Sequence, residues 1–246
     1  MRKLIVIGDI HGRDIWNNIV DHENPSKGDT VVFMGDYWDS YDIPAWKQTL
    51  NFQQIVEFKE HSDAEVIMLY GNHEHSYLGN DPVGYTGHQY EIASQIKEEL
   101  VFLRRTGFIQ MAFSYDDLLF THAGVSSKWL QKHLPQTTME TLVSDLNELF
   151  KTKLSAFDFA GLDPYGDSQE SSPIWIRQIS LLRSNKSETI RKHFRQVFGH
   201  TPMDDLNLET YKKYLGGRYI PVDALDNGQY LIYENGELSV GSVEVE

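Results

Sequence analysis

Carboxylate, amide and imidazole side chains of the kinds that bind metal ions follow five short apolar runs in this sequence. Ile5-Val6-Ile7-Gly8 leads into Asp9 and His11, Val31-Val32-Phe33-Met34-Gly35 into Asp36, and Ile67-Met68-Leu69-Tyr70-Gly71 into Asn72 and His73. Leu118-Leu119-Phe120-Thr121 ends at His122, and Val197-Phe198-Gly199 at His200. The carboxylates of Asp9 and Asp36, the amide oxygen of Asn72 and the imidazoles of His11, His122 and His200 suit a pair of divalent ions, with Asp36 placed to serve both. There is no cysteine, so thiolate ligation is excluded and hard or borderline ions are expected. Paired ions polarise phosphoryl oxygens, lower the pKa of a bound water towards about 7 and steady both oxygens of an in-line displacement. Hydrolysis of a phosphate ester is the reaction such a set fits.

The formal net charge of −14 speaks against a broad nucleic-acid surface, which needs cations along a phosphate backbone. Bound metal ions can still reverse the charge at one place, so a small phosphorylated partner remains compatible with an acidic chain.

Positioning these side chains requires strands that end together. Ligands of open α/β sheets gather beyond the carboxyl ends of the strands, so residues far apart in sequence can converge there. Four of the five runs close with glycine before the polar residue, which lets the backbone leave the strand steeply and approach an ion closely. Strands are expected at Lys3 to Gly8, Thr30 to Gly35, Glu65 to Gly71, Phe108 to Ser114, Leu118 to Thr121 and Gln196 to Gly199. A late group, Arg218 to Asp223, Gln229 to Glu234 and Leu238 to Val243, reads as an antiparallel meander, with Asn227-Gly228 and Asn235-Gly236 as its turns. Helices are expected from Pro44 to His61, where Trp46, Leu50, Ile55 and Phe58 recur near helical spacing, from Gln89 to Arg105 and from Thr138 to Lys153. Gly79 to His88 and Phe157 to Pro173 read as long loops, a length often tied to function. The pattern is α/β (α+β) within a single domain over residues 1–246. No run approaches a membrane span of roughly 18 apolar residues and the first residues carry no cleavage pattern, so a cytoplasmic protein with no membrane partner is expected.

Five ordered motifs carry a resemblance to a known family. Gly8-Asp9-Ile10-His11-Gly12, Gly35-Asp36-Tyr37-Trp38-Asp39, Gly71-Asn72-His73-Glu74, His122-Ala123-Gly124 and Gly199-His200-Thr201 resemble those of the calcineurin-like metallophosphoesterases, most of all the small bacterial and phage members of the serine/threonine phosphoprotein phosphatase branch. The resemblance implies a two-layer mixed β-sandwich flanked by helices. It implies Asp9, His11 and Asp36 on one metal and Asp36, Asn72, His122 and His200 on the other. Oxygen-rich and imidazole ligands suit Mn²⁺ as the first choice, with Fe, Zn, Ni or Co as alternatives, since affinity and availability decide occupancy. The resemblance also implies a metal-activated hydroxide as nucleophile, His73 as the general acid for the leaving oxygen and Asp39 as the carboxylate that orients it. Members that act as nucleases end in Gly-His-x-His, whereas Pro202 stands here in place of the second histidine. That favours a phosphoprotein or dinucleoside tetraphosphate as partner.

One departure bears on substrate. Protein phosphatases resembling this chain carry Asp-Arg-Gly after the second motif, and here the residues are Asp39-Ser40-Tyr41. Arg177, in Trp175-Ile176-Arg177, resembles a Trp-x-Arg element of bacterial members and is the candidate phosphate clamp, since a planar guanidinium grips phosphate in a bidentate manner. Arg104 and Arg105 read as a helix end. His22, His61, His133 and His193 read as solvated, His75 and His88 as flanking the pocket, Trp38 and Trp175 as packing residues, and Trp16, Trp46 and Trp129 as core. Asp116-Asp117 and Asp204-Asp205 read as a hairpin turn and a loop.

Overall fold

The computed structural model describes residues 2–79, 86–161, 163, 165–185 and 189–245. Most of the expected loop Gly79 to His88 therefore lies outside the described residues. Two mixed sheets stack face to face. The larger is built from β1 (Lys3–Ile7), β2 (Thr30–Phe33), β3 (Glu65–Leu69), β4 (Ile109–Gln110), β9 (Gln229–Glu234) and β10 (Glu237–Ser242), in the order β10-β9-β1-β2-β3-β4. Its strands β1 to β4 run parallel, and the β9–β10 hairpin closes the edge antiparallel to β1. The smaller sheet has β5 (Phe113–Tyr115), β6 (Leu118–Phe120), β7 (Arg195–Phe198) and β8 (Tyr219–Pro221) in sequential order, with β6 to β8 parallel.

The apolar runs are continuous because both faces of the parallel strands are covered. Leu4, Val6, Val32, Met34, Ile67 and Leu69 point between the sheets, where they meet Leu118, Phe120, Val197, Ile220 and Val222. Ile5, Ile7, Val31, Phe33, Val66 and Met68 point the other way, against the helices α1 (Ile15–Glu23), α2 (Ala45–His61) and α4 (Ala93–Thr106) through Trp16, Ile19, Phe52, Ile55, Ile96 and Leu100. Each such aliphatic side chain taken out of water contributes about 1.5–3 kcal/mol.

Several expectations are corrected. The run Phe108 to Ser114 is two strands: the chain leaves the larger sheet after β4 and enters the smaller one at β5. The amides of Met111 and Ala112 at that crossing are satisfied by Asn147 Oδ1 at 2.9 and 3.0 Å. The first of the late strands, expected from Arg218 to Asp223, is not part of a meander, since β8 pairs parallel with β7. Asn235-Gly236, both at positive φ, do form the two-residue turn of the β9–β10 hairpin. Asn227-Gly228 instead ends a short 3₁₀ helix, Leu225–Asn227, where Gly228 caps in the left-handed region.

The inward face of α2 also differs from its apolar spacing. Trp46 is 68% exposed and Leu50 47% exposed, whereas Gln48, Asn51, Phe52 and Ile55 are buried. The polar pair faces inward because the loops after β1 and β2 bring polar groups that need partners. Asn51 accepts a hydrogen bond from Trp16 Nε1 (2.7 Å) and donates to the Arg13 carbonyl (3.0 Å). Gln48 accepts from the Ser40 amide (3.2 Å) and donates to the Ile43 carbonyl (2.6 Å). A helix expected to pack by an apolar face thus also holds, through Gln48 and Asn51, the two loops that carry Asp9, His11, Asp36 and Asp39.

Candidate metal centre

Asp9 and His11 follow β1, Asp36 and Asp39 follow β2, Asn72 and His73 open α3 (Asn72–Leu78) after β3, His122 follows β6 and His200 follows β7. The larger sheet therefore contributes the carboxylates, the amide and His11, while the smaller contributes His122 and His200. All are buried except His11 and His73, which are half-buried. His11, Asp36, Asp39 and His200 adopt left-handed φ values of 44°, 53°, 72° and 67°, conformations that cost energy in residues with a Cβ and cluster at functional sites.

Potential donor atoms of His11, Asp36 and His73 all lie within 4.8 Å of one another, and so do those of Asp36, His122 and His200, so Asp36 is common to both groups. His122 Nε2 lies 3.3 Å from Asp36 Oδ2 and 2.9 Å from Asn72 Oδ1. His200 Nδ1 lies 2.8 Å from the same Asn72 oxygen, and His11 Nε2 is 3.8 Å from Asp36 Oδ2. The other nitrogen of each ring faces a backbone carbonyl at 2.9 Å: Trp38 for His11, Met34 for His122 and Trp175 for His200. A carbonyl only accepts, so these outer nitrogens donate, and in the neutral form of each ring the inner nitrogen keeps a lone pair. In that form the imidazole lone pairs aim at carboxylate and amide oxygens that also offer lone pairs, although at His122 burial is outweighed by Asp36, which without a cation favours the protonated form. This is the arrangement by which carbonyl partners orient metal-binding imidazoles.

Two further observations fit the donor set to cations. Asp9 Oδ1 is buried without a hydrogen-bond partner among the described residues, while Oδ2 accepts from the His200 amide at 2.8 Å. The glycines before the polar residues leave room for the carboxylates: a Cβ on Gly71 would stand 2.1 Å from Asp36 Oδ1, and one on Gly199 2.0 Å from Asp9 Oδ1. Burial and then the neighbouring Asp223 push the Asp9 carboxyl well up. Burial opposes charge on Asp36 too, yet His122 and then His73 hold it below the usual carboxylate range. Burial lowers His11 to about 4 and holds His200 well below the ordinary histidine value, leaving both neutral.

His73 Nδ1 is 2.8 Å from Asp39 Oδ2, and its amide donates to Asp36 Oδ1 at 3.0 Å. Burial disfavours the imidazolium, but Asp36 and the Asp39 hydrogen bond outweigh it and raise the His73 pKa. Tyr77 donates its hydroxyl to the other Asp39 oxygen, which fixes the carboxylate that holds His73.

Some site-building residues escape the strand-end rule. Glu74 is fully buried, accepting the amides of Asp36 (2.9 Å), Tyr37 (2.7 Å) and Gly71 (2.9 Å). It ties the turn after β2 to the turn after β3. Burial and then Asp36 push its carboxyl up to about 7, against the pull of those amides. Its only trace in sequence is its place beside His73. Asp223, just beyond β8, is raised to about 6, chiefly by burial, and would have emerged had β8 been read as a parallel strand with its own polar end.

Arg177 stands beside His200: Nη1 donates to the His200 carbonyl (3.0 Å) and Thr201 Oγ1 (3.1 Å), and Nε to the Tyr165 carbonyl (3.1 Å). His75 does not flank the pocket; it is buried, with Nε2 2.7 Å from Asp158 and Nδ1 3.2 Å from the Tyr70 hydroxyl. His88 stacks on Tyr77. His22, His61 and His193 are exposed, while His133 is half-buried and stacked on Trp129. Trp16, Trp38, Trp129 and Trp175 are buried, and Arg104 binds the carbonyls of Phe150 and Lys151.

Fold and donor set define a metal-binding phosphoester hydrolase. Residues 2–233 match the family model of the calcineurin-like phosphoesterases, and the chain belongs to that family, which depends on two metal ions. Among solved structures, the chain is similar to a cold-active protein-tyrosine phosphatase of a psychrophilic Shewanella species (TM-score 0.65, 18% identity, 98% of this chain and 78% of that one). A mutant cold-active protein tyrosine phosphatase gives a TM-score of 0.68 at 21% identity, with 98% and 78% covered. A protein serine/threonine phosphatase from Saccharomyces cerevisiae gives 0.56 at 16% identity, with 99% and 80% covered. These likenesses speak to fold. No curated protein matches the chain. Among the described residues, no helix is long and apolar enough to cross a membrane.

Proposed function

We propose that this chain hydrolyses phosphomonoesters as a serine/threonine-type protein phosphatase in the cytoplasm. In this reading Asp9, His11, Asp36, Asn72, His122 and His200 hold two metal ions, Mn²⁺ the first to supply. When bound, the ions neutralise the phosphoryl oxygens and lower the pKa of water at the site. The observation that carries the reading is the His73–Asp39 pair, 2.8 Å apart, beside a carboxylate common to two donor groups. His73 holds its proton at Nε2 while Asp39 fixes Nδ1, and it gives that proton to the leaving oxygen. Asp36 keeps His73 in register through the amide. Arg177 presents guanidinium nitrogen to the phosphoryl group from the His200 side. Support for a protein substrate comes from solved neighbours that are protein phosphatases.

The test is phosphate release by metal-stripped protein reloaded with Mn²⁺, given phosphoserine and phosphotyrosine peptides and diadenosine tetraphosphate side by side. The phosphoserine peptide is expected to have the highest kcat/KM. Faster turnover of the dinucleotide would overturn the protein phosphatase reading while keeping the hydrolytic site.

A further inference from the structure

Ser40 stands where the protein phosphatases that the motifs resemble carry an arginine, and its hydroxyl oxygen is engaged within its own loop. Oγ accepts from the amides of Asp42 and Ile43, both at 3.3 Å, while Gln48 holds the Ser40 amide and carbonyl. Ser40 therefore brings no charge to the site.

A cavity of about 200 Å³ opens beside it, lined by His11, Arg13, Asp39, Tyr41 and His73 among others. Asn72, His122 and His200 do not line it, so it lies on the His11–His73 side of the centre, where the two rings meet edge to face at 4.9 Å. The group that protonates the leaving oxygen faces this cavity, so the leaving group occupies it. Arg13 is the one arginine or lysine among the described lining residues. It is held by its backbone: the amide donates to the Ile10 carbonyl at 2.9 Å and the carbonyl accepts from Asn51. Its guanidinium pairs with Asp226, whose side chain is 61% exposed. A pair this open to water holds the arginine weakly. Tyr41, 74% exposed, supplies an aromatic wall at the same mouth.

We infer that Arg13 is a specificity-determining residue, selecting phosphoesters whose leaving group carries its own anionic group. Asp226 parks the guanidinium until such a group displaces it. Arg13 and Arg177 then flank the metal centre from opposite sides, one on the leaving group and the other on the phosphoryl group. The anion can come from an acidic side chain flanking a phosphorylated residue or from a further phosphate of a nucleotide. The inference rests on the hydrolytic site proposed above.

The test compares 4-carboxyphenyl phosphate with 4-carbamoylphenyl phosphate, of equal size and different charge, on the Mn²⁺-loaded protein at low salt. The carboxylate ester is expected to have about tenfold the kcat/KM of the amide, the scale of one charge-assisted hydrogen bond in a half-buried site. Arg13→Gln should bring that ratio close to one, and Asp226→Asn should raise it above wild type. An unchanged ratio in Arg13→Gln overturns the inference; if that variant melts early, an unchanged ratio in Asp226→Asn does so instead. Turnover of neither ester by the wild type sinks the hydrolytic reading itself, a different result from turnover without preference. AMP against ADP, and a phosphoserine peptide with and without a flanking glutamate, then name the source: the pair whose preference depends on Arg13 identifies it, and dependence in neither overturns the inference.

Discussion

Replacing Gly71 by alanine inserts a methyl group into the carboxylate on which both donor groups converge. Gly71 has φ −104° and ψ −179°, ordinary extended backbone, so alanine meets no conformational penalty and the effect is purely steric. Its Cβ would stand 2.1 Å from Asp36 Oδ1, 2.7 Å from the Asp36 amide and 3.0 Å from Asp36 Cγ. Side-chain carbons essentially never approach closer than 3.0 Å, so the carboxylate or the turn carrying it must retreat by about 1 Å. Overpacking of this kind costs roughly 1–3 kcal/mol of stability, which shifts the melting point of a chain this long by only a few degrees per kcal/mol. The site suffers more, because a misplacement of about 1 Å can cost on the order of a hundredfold in rate. The variant is therefore expected to fold, to lose at least one metal equivalent by elemental analysis, and to fall about a hundredfold in kcat on an aryl phosphate. A folded Gly71→Ala protein with two metal equivalents and turnover within threefold of wild type would refute the steric reasoning and the shared role of Asp36.

Three other outcomes are expected. His73→Asn keeps metal content near normal while turnover drops by roughly a hundredfold, the scale of lost general-acid catalysis; equal losses of metal and activity would remove His73 from that role. Asp36→Asn releases both metals, and a variant retaining two equivalents would show that Asp36 does not bridge. Asp39→Asn moves the alkaline limb of the kcat–pH profile to lower pH. The sign follows from His73: its active form is protonated, its pKa is raised by Asp36 and then by the Asp39 hydrogen bond and charge against burial, and activity is lost as pH rises through that value. Removing the Asp39 contribution lowers it, and an unmoved limb would contradict the pairing.

The strand ends were legible because parallel strands covered on both faces must be written as unbroken apolar runs, and a polar residue closing such a run stands out. Asp9, Asp36, Asn72, His122 and His200 stand at such ends, which is why they are the candidate donors. The inward face of α2 was not legible: periodicity assigns Trp46 and Leu50 to the core, while Gln48 and Asn51 are drawn inside by backbone groups of loops distant in sequence. The strand Tyr219–Pro221 is too short to declare its partner, so its parallel place next to β7, and Asp223 beyond it, went unread. Glu74 and Arg13 lie near the motif residues, but the amides that Glu74 accepts and the cavity that Arg13 lines are not encoded in spacing along the chain.

Strand β1, which delivers Asp9 and His11, is flanked on one side by β2 and on the other by β9, with Leu4 opposite Tyr233. Asp9 and His11 precede β9 by more than two hundred residues, so during synthesis their strand gains its second neighbour long after they emerge. His200 is also made well after them. Pairings this distant in sequence are slow to close, so the candidate donors are brought together late in folding. Under the proposed ligand set, an incoming ion would therefore meet a nearly folded chain, and availability would help decide which divalent ion fills the site.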